Sequence, residues 1–139
     1  MDYSISQYIE KRAVIISLIF FVVIVFLFPF LVGVIASFGV SDDVFKFVVP
    51  LIQYKFALII MAGVAAGIIA KKHPFINSII VGLLGYIIWV LIISISIATT
   101  NTSFPLGFIA YQSIVTISLC AAGGLCVTLY RYAATSSNK

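Results

Sequence analysis

Few residues in this sequence have the types and spacing that catalysis or ligand binding requires. His73 is its one histidine, and a single imidazole cannot supply both axial ligands of a b-type haem held between helices. The sequence contains no HExxH segment and no cluster of Cys and His at metal-ligand spacing. We therefore expect no enzymatic activity, no cofactor and no bound metal ion.

The cysteines and the acidic residues argue against two further kinds of chemistry. Cys120 and Cys126 lie six residues apart, which is about 9 Å along a helix and beyond the reach of a disulfide. No Asp or Glu falls inside a long apolar stretch, although a proton-coupled transporter needs a buried carboxylate. The cysteines are thus predicted to pack as small apolar residues, and a small multidrug-type exporter is disfavoured.

The amino-acid composition is typical of a membrane protein and not of a water-soluble domain. Of its 139 residues, 63% are hydrophobic and 9% are charged, whereas soluble domains are about half apolar and a quarter charged. The net charge of +4 comes from basic residues placed singly or in pairs at the ends of apolar stretches, without the basic stripe that follows a phosphate backbone. We expect the lipid bilayer as a partner and exclude nucleic acid.

Four apolar segments are long enough to cross the hydrocarbon core, which takes about 20 helical residues. They cover residues 13–38, 51–70, 75–98 and 106–132. These segments predict an all-α, polytopic bundle of four transmembrane helices, forming a single domain over residues 1–139. The first apolar run is longer than the roughly 7–15 residues of a signal-peptide core, so we expect it to stay in the membrane, with a kink at Pro29.

The distribution of basic residues predicts the orientation of these spans. Lys11, Arg12, Lys71, Lys72, Arg131 and Lys139 fall on one side, and Lys46 and Lys55 fall on the other. Because the cytoplasmic side carries the excess of Lys and Arg, both termini are predicted to be cytoplasmic, with the chain in the plasma membrane. Asn101 begins a glycosylation sequon in a short outer loop, which we expect to stay unmodified.

Small and polar residues gather on one face of three predicted helices, where they allow close helix contact in a bilayer. In the second span these are Ala62, Gly63, Ala66, Gly67 and Ala70. In the third they are Ser78, Gly82, Gly85 and Trp89, and in the fourth Gln112, Thr116 and Gly123. The faces pack either within one compact bundle or as a seam for a partner or a second copy, and the first interpretation is favoured.

Two regions remain outside these faces. The first span is rich in Phe and poor in small residues, so we expect it to be the helix most exposed to lipid. The turn containing Lys71, Lys72 and His73 could attract anionic lipid headgroups, and the topology preference for basic residues explains the same positions equally well.

The segment Gly63-Val-Ala-Ala-Gly67, the Lys71-Lys72 pair and Gly82-x-x-Gly85 together resemble small uncharacterised four-helix membrane proteins of prokaryotes. In those proteins a glycine-rich helix, a basic turn and another glycine-containing helix recur. The resemblance covers the central part of the chain. It implies a four-span fold and no particular activity.

Three functions from different classes fit this sequence. The first is a non-catalytic accessory or assembly subunit that packs against other membrane subunits or against itself. The alternative is a small oligomeric channel or carrier for a neutral or lipid-like solute. The third, ranked lowest, is a subunit of a redox complex that offers a pocket for quinone or lipid. The small size, the absence of charge at depth and the glycine-rich faces favour the first.

Overall fold

The computed structural model describes residues 8–27, 30, 55–100 and 106–137. They form four helices and no strand: α1 (Lys11–Val22), α2 (Lys55–Ile69), α3 (Pro74–Thr100) and α4 (Leu106–Ser136). The predicted all-α class is therefore confirmed for the part of the chain that the structure describes.

Two of the helices are long and apolar enough to cross a membrane. They are the stretch Pro74–Ile95 of α3 and the stretch Gly107–Ser136 of α4. The apolar stretch of α2, Phe56–Ile69, is shorter than the roughly 20 residues that a crossing takes, because residues 51–54 of the predicted second span lie outside the described residues.

The first helix changes its hydrogen-bonding pattern after one third of the predicted span. α1 is followed directly by a π-helical segment, Val23–Leu27. The predicted kink at Pro29 lies outside the described residues. Proline has no N–H, so the carbonyl of Val25 cannot receive the bond that residue 29 would donate in an α-helix. The π-helical segment thus ends two residues before Pro29 in the sequence.

Helices α2 and α4 approach until their backbones touch. A Cβ added at Gly63 would lie 2.8 Å from both the Cα and the carbonyl carbon of Cys120. A Cβ added at Gly123 would lie 2.7 Å from the backbone nitrogen of Val64 and would overlap the carbonyl oxygen of Ile60. Since these neighbours are backbone atoms that cannot turn away, only glycine permits this crossing.

One aromatic side chain of the first helix is buried deep in the bundle. Phe21 is 1% exposed and is the largest fully buried side chain of the described residues. Its ring lies over α3, where a Cβ at Gly85 would come within 2.6 Å of the ring carbon Cε1. The missing side chain of Gly85 leaves room for this large ring. The expectation that the first span is the most lipid-exposed helix stays a prediction, since Ile15 and Ile19 of α1 are 57% and 59% exposed and most of the span beyond Leu27 lies outside the described residues.

The interior of the bundle combines small, polar and a few large apolar side chains. Ala62, Ala66, Ala70, Ser17, Asn77 and Ser78 are each 0% exposed, beside Phe21, Ile59 and Val81 at 1%, 5% and 0%. Large aliphatic side chains point outward, and Ile68, Ile95 and Ile114 are 62%, 65% and 67% exposed. Contiguous apolar surface of this kind is unusual for a monomer in water.

Candidate functional site at the α2–α3 turn

The small-residue faces predicted from the sequence meet inside the chain. On α2 and at the residue that follows it, the buried positions include Ala62, Gly63, Ala66, Gly67 and Ala70. On α3 and α4, they include Ser78, Gly82, Gly85, Thr116 and Gly123. The Ser78 hydroxyl donates to the Gly63 carbonyl at 2.7 Å and to the Pro74 carbonyl at 2.9 Å, so a hydrogen bond joins α3 to α2 where the glycines permit close approach.

The remaining two predicted packing residues lie nearer the opposite end of the bundle and are half-buried. Trp89 lies between two aromatic rings, stacked with Tyr86 and tilted against Phe108 of α4, with centroid separations of 6.1 Å in each case. Gln112 is also half-buried. They are therefore separate from the glycine contacts around Gly63.

The predicted headgroup residues divide between two sides of the turn that connects α2 to α3. Lys71 and Lys72 are exposed. His73 is half-buried, and its ring packs against the ring of Tyr8 with a centroid distance of 4.8 Å and an angle of 55°. The three residues are adjacent in sequence, but the structure does not bring their side chains to one place.

Asn77 fixes the chain before α1 to the first turn of α3. Its side-chain oxygen accepts a hydrogen bond from the backbone N–H of Glu10 at 2.8 Å. Its amide nitrogen donates to the carbonyl of His73 at 2.8 Å and to the carbonyl of Tyr8 at 3.3 Å. Asn77 is fully buried and so satisfies three backbone groups that would otherwise be desolvated without partners.

The Glu10 carboxylate binds the same turn from the side of α1. Glu10 is the N-cap residue of α1, yet its side chain does not cap that helix. Instead, one carboxylate oxygen accepts from the backbone N–H of Lys72 at 2.8 Å. The backbone N–H of Lys71, followed by that of Lys72, lowers the pKa of the Glu10 carboxyl from its usual value, because these dipoles favour the charged form.

Arg131 of α4 binds the carbonyl groups of the turn. One terminal guanidinium nitrogen donates to the carbonyls of Ala70 at 2.7 Å and Lys71 at 3.3 Å, and the other donates to the carbonyl of Ile68 at 2.9 Å. The last carbonyls of α2 lack partners within their own helix, and a cation at a helix C-terminus is favourable. The turn is thus held on its amide side by Glu10 and on its carbonyl side by Arg131.

Sequence reasoning missed all three residues that hold this turn. Arg131 was assigned only as a topology residue, and Asn77 and Glu10 received no role. One sequence feature could have indicated Asn77, because an Asn in the first turn of an apolar helix needs partners when it is buried. No local pattern could have paired Glu10 with Lys72, which lies 62 residues away.

The Glu10 contact predicts a pH dependence of stability. A carboxyl with a lowered pKa in the folded state stabilises the fold above its unfolded pKa, and this contribution is lost as the pH falls through the folded pKa. The melting temperature in a neutral detergent should therefore decrease as the pH is lowered below 4.5, the usual pKa of Glu. Trp89, the single tryptophan, reports unfolding by its fluorescence.

Glu10→Gln is the matched variant because it keeps an acceptor oxygen and removes the charge. It should melt a few degrees lower than the wild type at pH 7, and the difference should shrink as the pH falls to about 3. Asp2, Asp42 and Asp43 remain in both proteins, so their titration cancels in the comparison. An equal difference at both pH values would mean that the charge of Glu10 contributes nothing.

Comparisons with known proteins give this chain no family. No protein-family model matches it, and neither a curated protein nor a solved structure does.

Proposed function

We propose that the chain is a four-span integral protein of the plasma membrane, with both termini cytoplasmic, and that it serves as a non-catalytic accessory or assembly subunit. The observation that carries the proposal is the distribution of side chains, with small residues at the helix contacts and large apolar groups over the exterior. Alanine, glycine and polar groups lie inside beside a few large apolar side chains, and many large aliphatic side chains lie outside. Lipid tails are a suitable solvent for that exterior, and small residues are what membrane helices use to pack together.

The tyrosines of α4 support a transmembrane placement of that helix. Tyr111, near its beginning, is 57% exposed, and Tyr130 and Tyr132, near its end, are each 75% exposed. At 1.5 Å per residue these rings are about 28–32 Å apart along the helix axis. The hydrocarbon core is about 30 Å thick, and Tyr is enriched at both of its interfaces.

The polar cluster around the α2–α3 turn supports the cytoplasmic assignment of that end. Lys11, Arg12, Lys71 and Lys72 are exposed there, and Arg131 binds the turn itself. Glu10, the one carboxylate among the described residues, accepts a backbone hydrogen bond. An excess of Lys and Arg at one end of a helix bundle is the usual mark of the cytoplasmic side.

The use of the small-residue faces within one chain favours a subunit that offers its outer apolar surface to partners. Gly63 and Gly123 have no room for even a methyl group, so these faces are not free to bind a second protein. The alternative, an oligomeric channel or carrier for a neutral or lipid-like solute, would need its path between copies of the chain, since the α2–α4 contact closes that part of the interior.

Topology is testable with single cysteines in a Cys120→Ala, Cys126→Ser background. With both termini cytoplasmic, Ser137→Cys should react with a membrane-impermeant maleimide only after lysis. Thr102→Cys, in the predicted second outer loop, should react in intact cells. Labelling of Ser137→Cys in intact cells, or extraction of the protein from membranes without detergent, would contradict the proposed placement.

The subunit assignment is testable by purification in a mild detergent through a C-terminal affinity tag. We expect larger membrane proteins to co-migrate in near-stoichiometric amounts through size-exclusion chromatography. An unrelated four-span protein with the same tag and expression level is the control. Recovery of a homo-oligomer alone, which then conducts a neutral solute in liposomes, would favour the channel or carrier instead.

A further inference from the structure

We propose that the cleft between the α2–α3 turn and the last turns of α4 binds a phosphate-bearing anion, supplied by the headgroup of an anionic phospholipid. The cleft has a volume of about 290 Å³. Three cationic side chains line it, those of Lys71, Lys72 and Arg131, together with the hydroxyl-bearing Thr128, Tyr132 and Thr135. No carboxylate is among its lining residues.

The cations of the cleft are available to a ligand. Within the part of the chain that the structure describes, the ammonium groups of Lys71 and Lys72 have no hydrogen-bond or ion-pair partner. Arg131 uses three of its five N–H donors on backbone carbonyls, and two donors remain. Carbonyl oxygens accept hydrogen bonds but do not cancel the guanidinium charge, so the cleft presents three positive charges to an anion.

The site is built in advance of binding. Arg131 joins α4 to the turn, and Glu10 holds the same turn by the backbone N–H of Lys72, so the bases of both lysine side chains are fixed. The Thr128 and Thr135 hydroxyls donate to backbone carbonyls of α4 at 2.9 Å. They therefore shape the wall of the cleft, and recognition rests on the cations and on Tyr132.

The exposed apolar surface of α4 next to the cleft favours a lipid over a free phosphate as the ligand. Leu125 and Leu129 are 46% and 59% exposed and lie seven and three residues before Tyr132, on the same face of the helix. A phospholipid with its phosphate in the cleft would place its acyl chains along these leucines, so that the cations and the apolar surface both contact the same molecule. This choice of source rests on the proposed membrane placement; binding of a phosphate-bearing anion as such does not.

The cleft differs from the headgroup site that the sequence suggests. His73 does not line it and packs on Tyr8 instead, whereas Arg131 contributes a charge that the local sequence around Lys71 does not show. Lys11 and Arg12 are also exposed at this end of the bundle but do not line the cleft. They therefore provide a matched control with the same loss of charge.

Native mass spectrometry of the detergent-solubilised full chain tests the proposal. Wild type, Lys71→Gln/Lys72→Gln and Lys11→Gln/Arg12→Gln are each titrated with short-chain phosphatidylglycerol, short-chain phosphatidylcholine and inorganic phosphate. Because both lysines attract the anionic headgroup, the first variant should bind phosphatidylglycerol more weakly by roughly tenfold or more. The second should stay within about twofold of wild type, and phosphatidylcholine should bind more weakly than phosphatidylglycerol throughout.

The remaining outcomes separate the sources of the anion and the ways in which the proposal fails. If the wild type binds inorganic phosphate but not phosphatidylglycerol, and Lys71→Gln/Lys72→Gln loses that phosphate binding, the site stands and its ligand is a free phosphate. An equal loss of affinity for phosphatidylglycerol in both double variants, or no loss in either, would overturn the proposal that the cleft binds the anion. Since the titration uses solubilised protein, a negative result leaves the span count and the subunit assignment unaffected.

Discussion

The contact between α2 and α4 sets the spacing of the whole bundle. In hydrocarbon, helices gain little from burying leucine, so association depends on backbone proximity, dispersion and hydrogen bonds. Gly63 and Gly123 allow this proximity because backbone atoms of the opposite helix occupy the space of their missing side chains. At this spacing the Cys120 thiol lies 3.5 Å from the Ile59 carbonyl, and the Ser78 hydroxyl bonds the Gly63 carbonyl. A wider α2–α4 crossing would remove the contact between Cys120 and Ile59.

The same packing explains why polar groups concentrate at one end. The interior uses small side chains, and its buried polar atoms mostly bond to nearby carbonyls, with Ser17 the one buried hydroxyl lacking a partner among the described residues. The α2–α3 turn cannot satisfy its own amides and carbonyls, so Asn77, Glu10 and Arg131 supply partners from three helices or their flanks. Hydrogen bonds from side chains to a turn are therefore concentrated at this end of the described bundle, where Lys71 and Lys72 are also exposed.

Helical periodicity made part of this structure predictable. On α2, small residues recur every three or four positions, so the sequence alone places them on one face. The partner of that face is a tertiary property, because a one-dimensional pattern does not say whether Gly85 receives a helix or the ring of Phe21. The role of Arg131 was hidden for another reason: a basic residue at a helix end satisfies the topology rule whether or not it also binds a distant turn. The sequence also could not show that Lys71 and His73 lie on different sides of the turn, because the side chains of neighbouring turn residues can point in opposite directions.

Intramolecular disulfide formation between α2 and α4 tests the central contact most directly. A Cβ at Gly67 would lie 3.0 Å from the Cβ of Val127, near the roughly 3.5–4.5 Å of a disulfide. In native membranes, and with Cys120→Ala and Cys126→Ser, mild oxidation of Gly67→Cys/Val127→Cys should give a cross-linked monomer. Met61→Cys/Val127→Cys is the control, because Met61 is 52% exposed, and should give none. Cross-linked dimers alone, or no cross-link, would contradict packing of the small-residue faces within one chain.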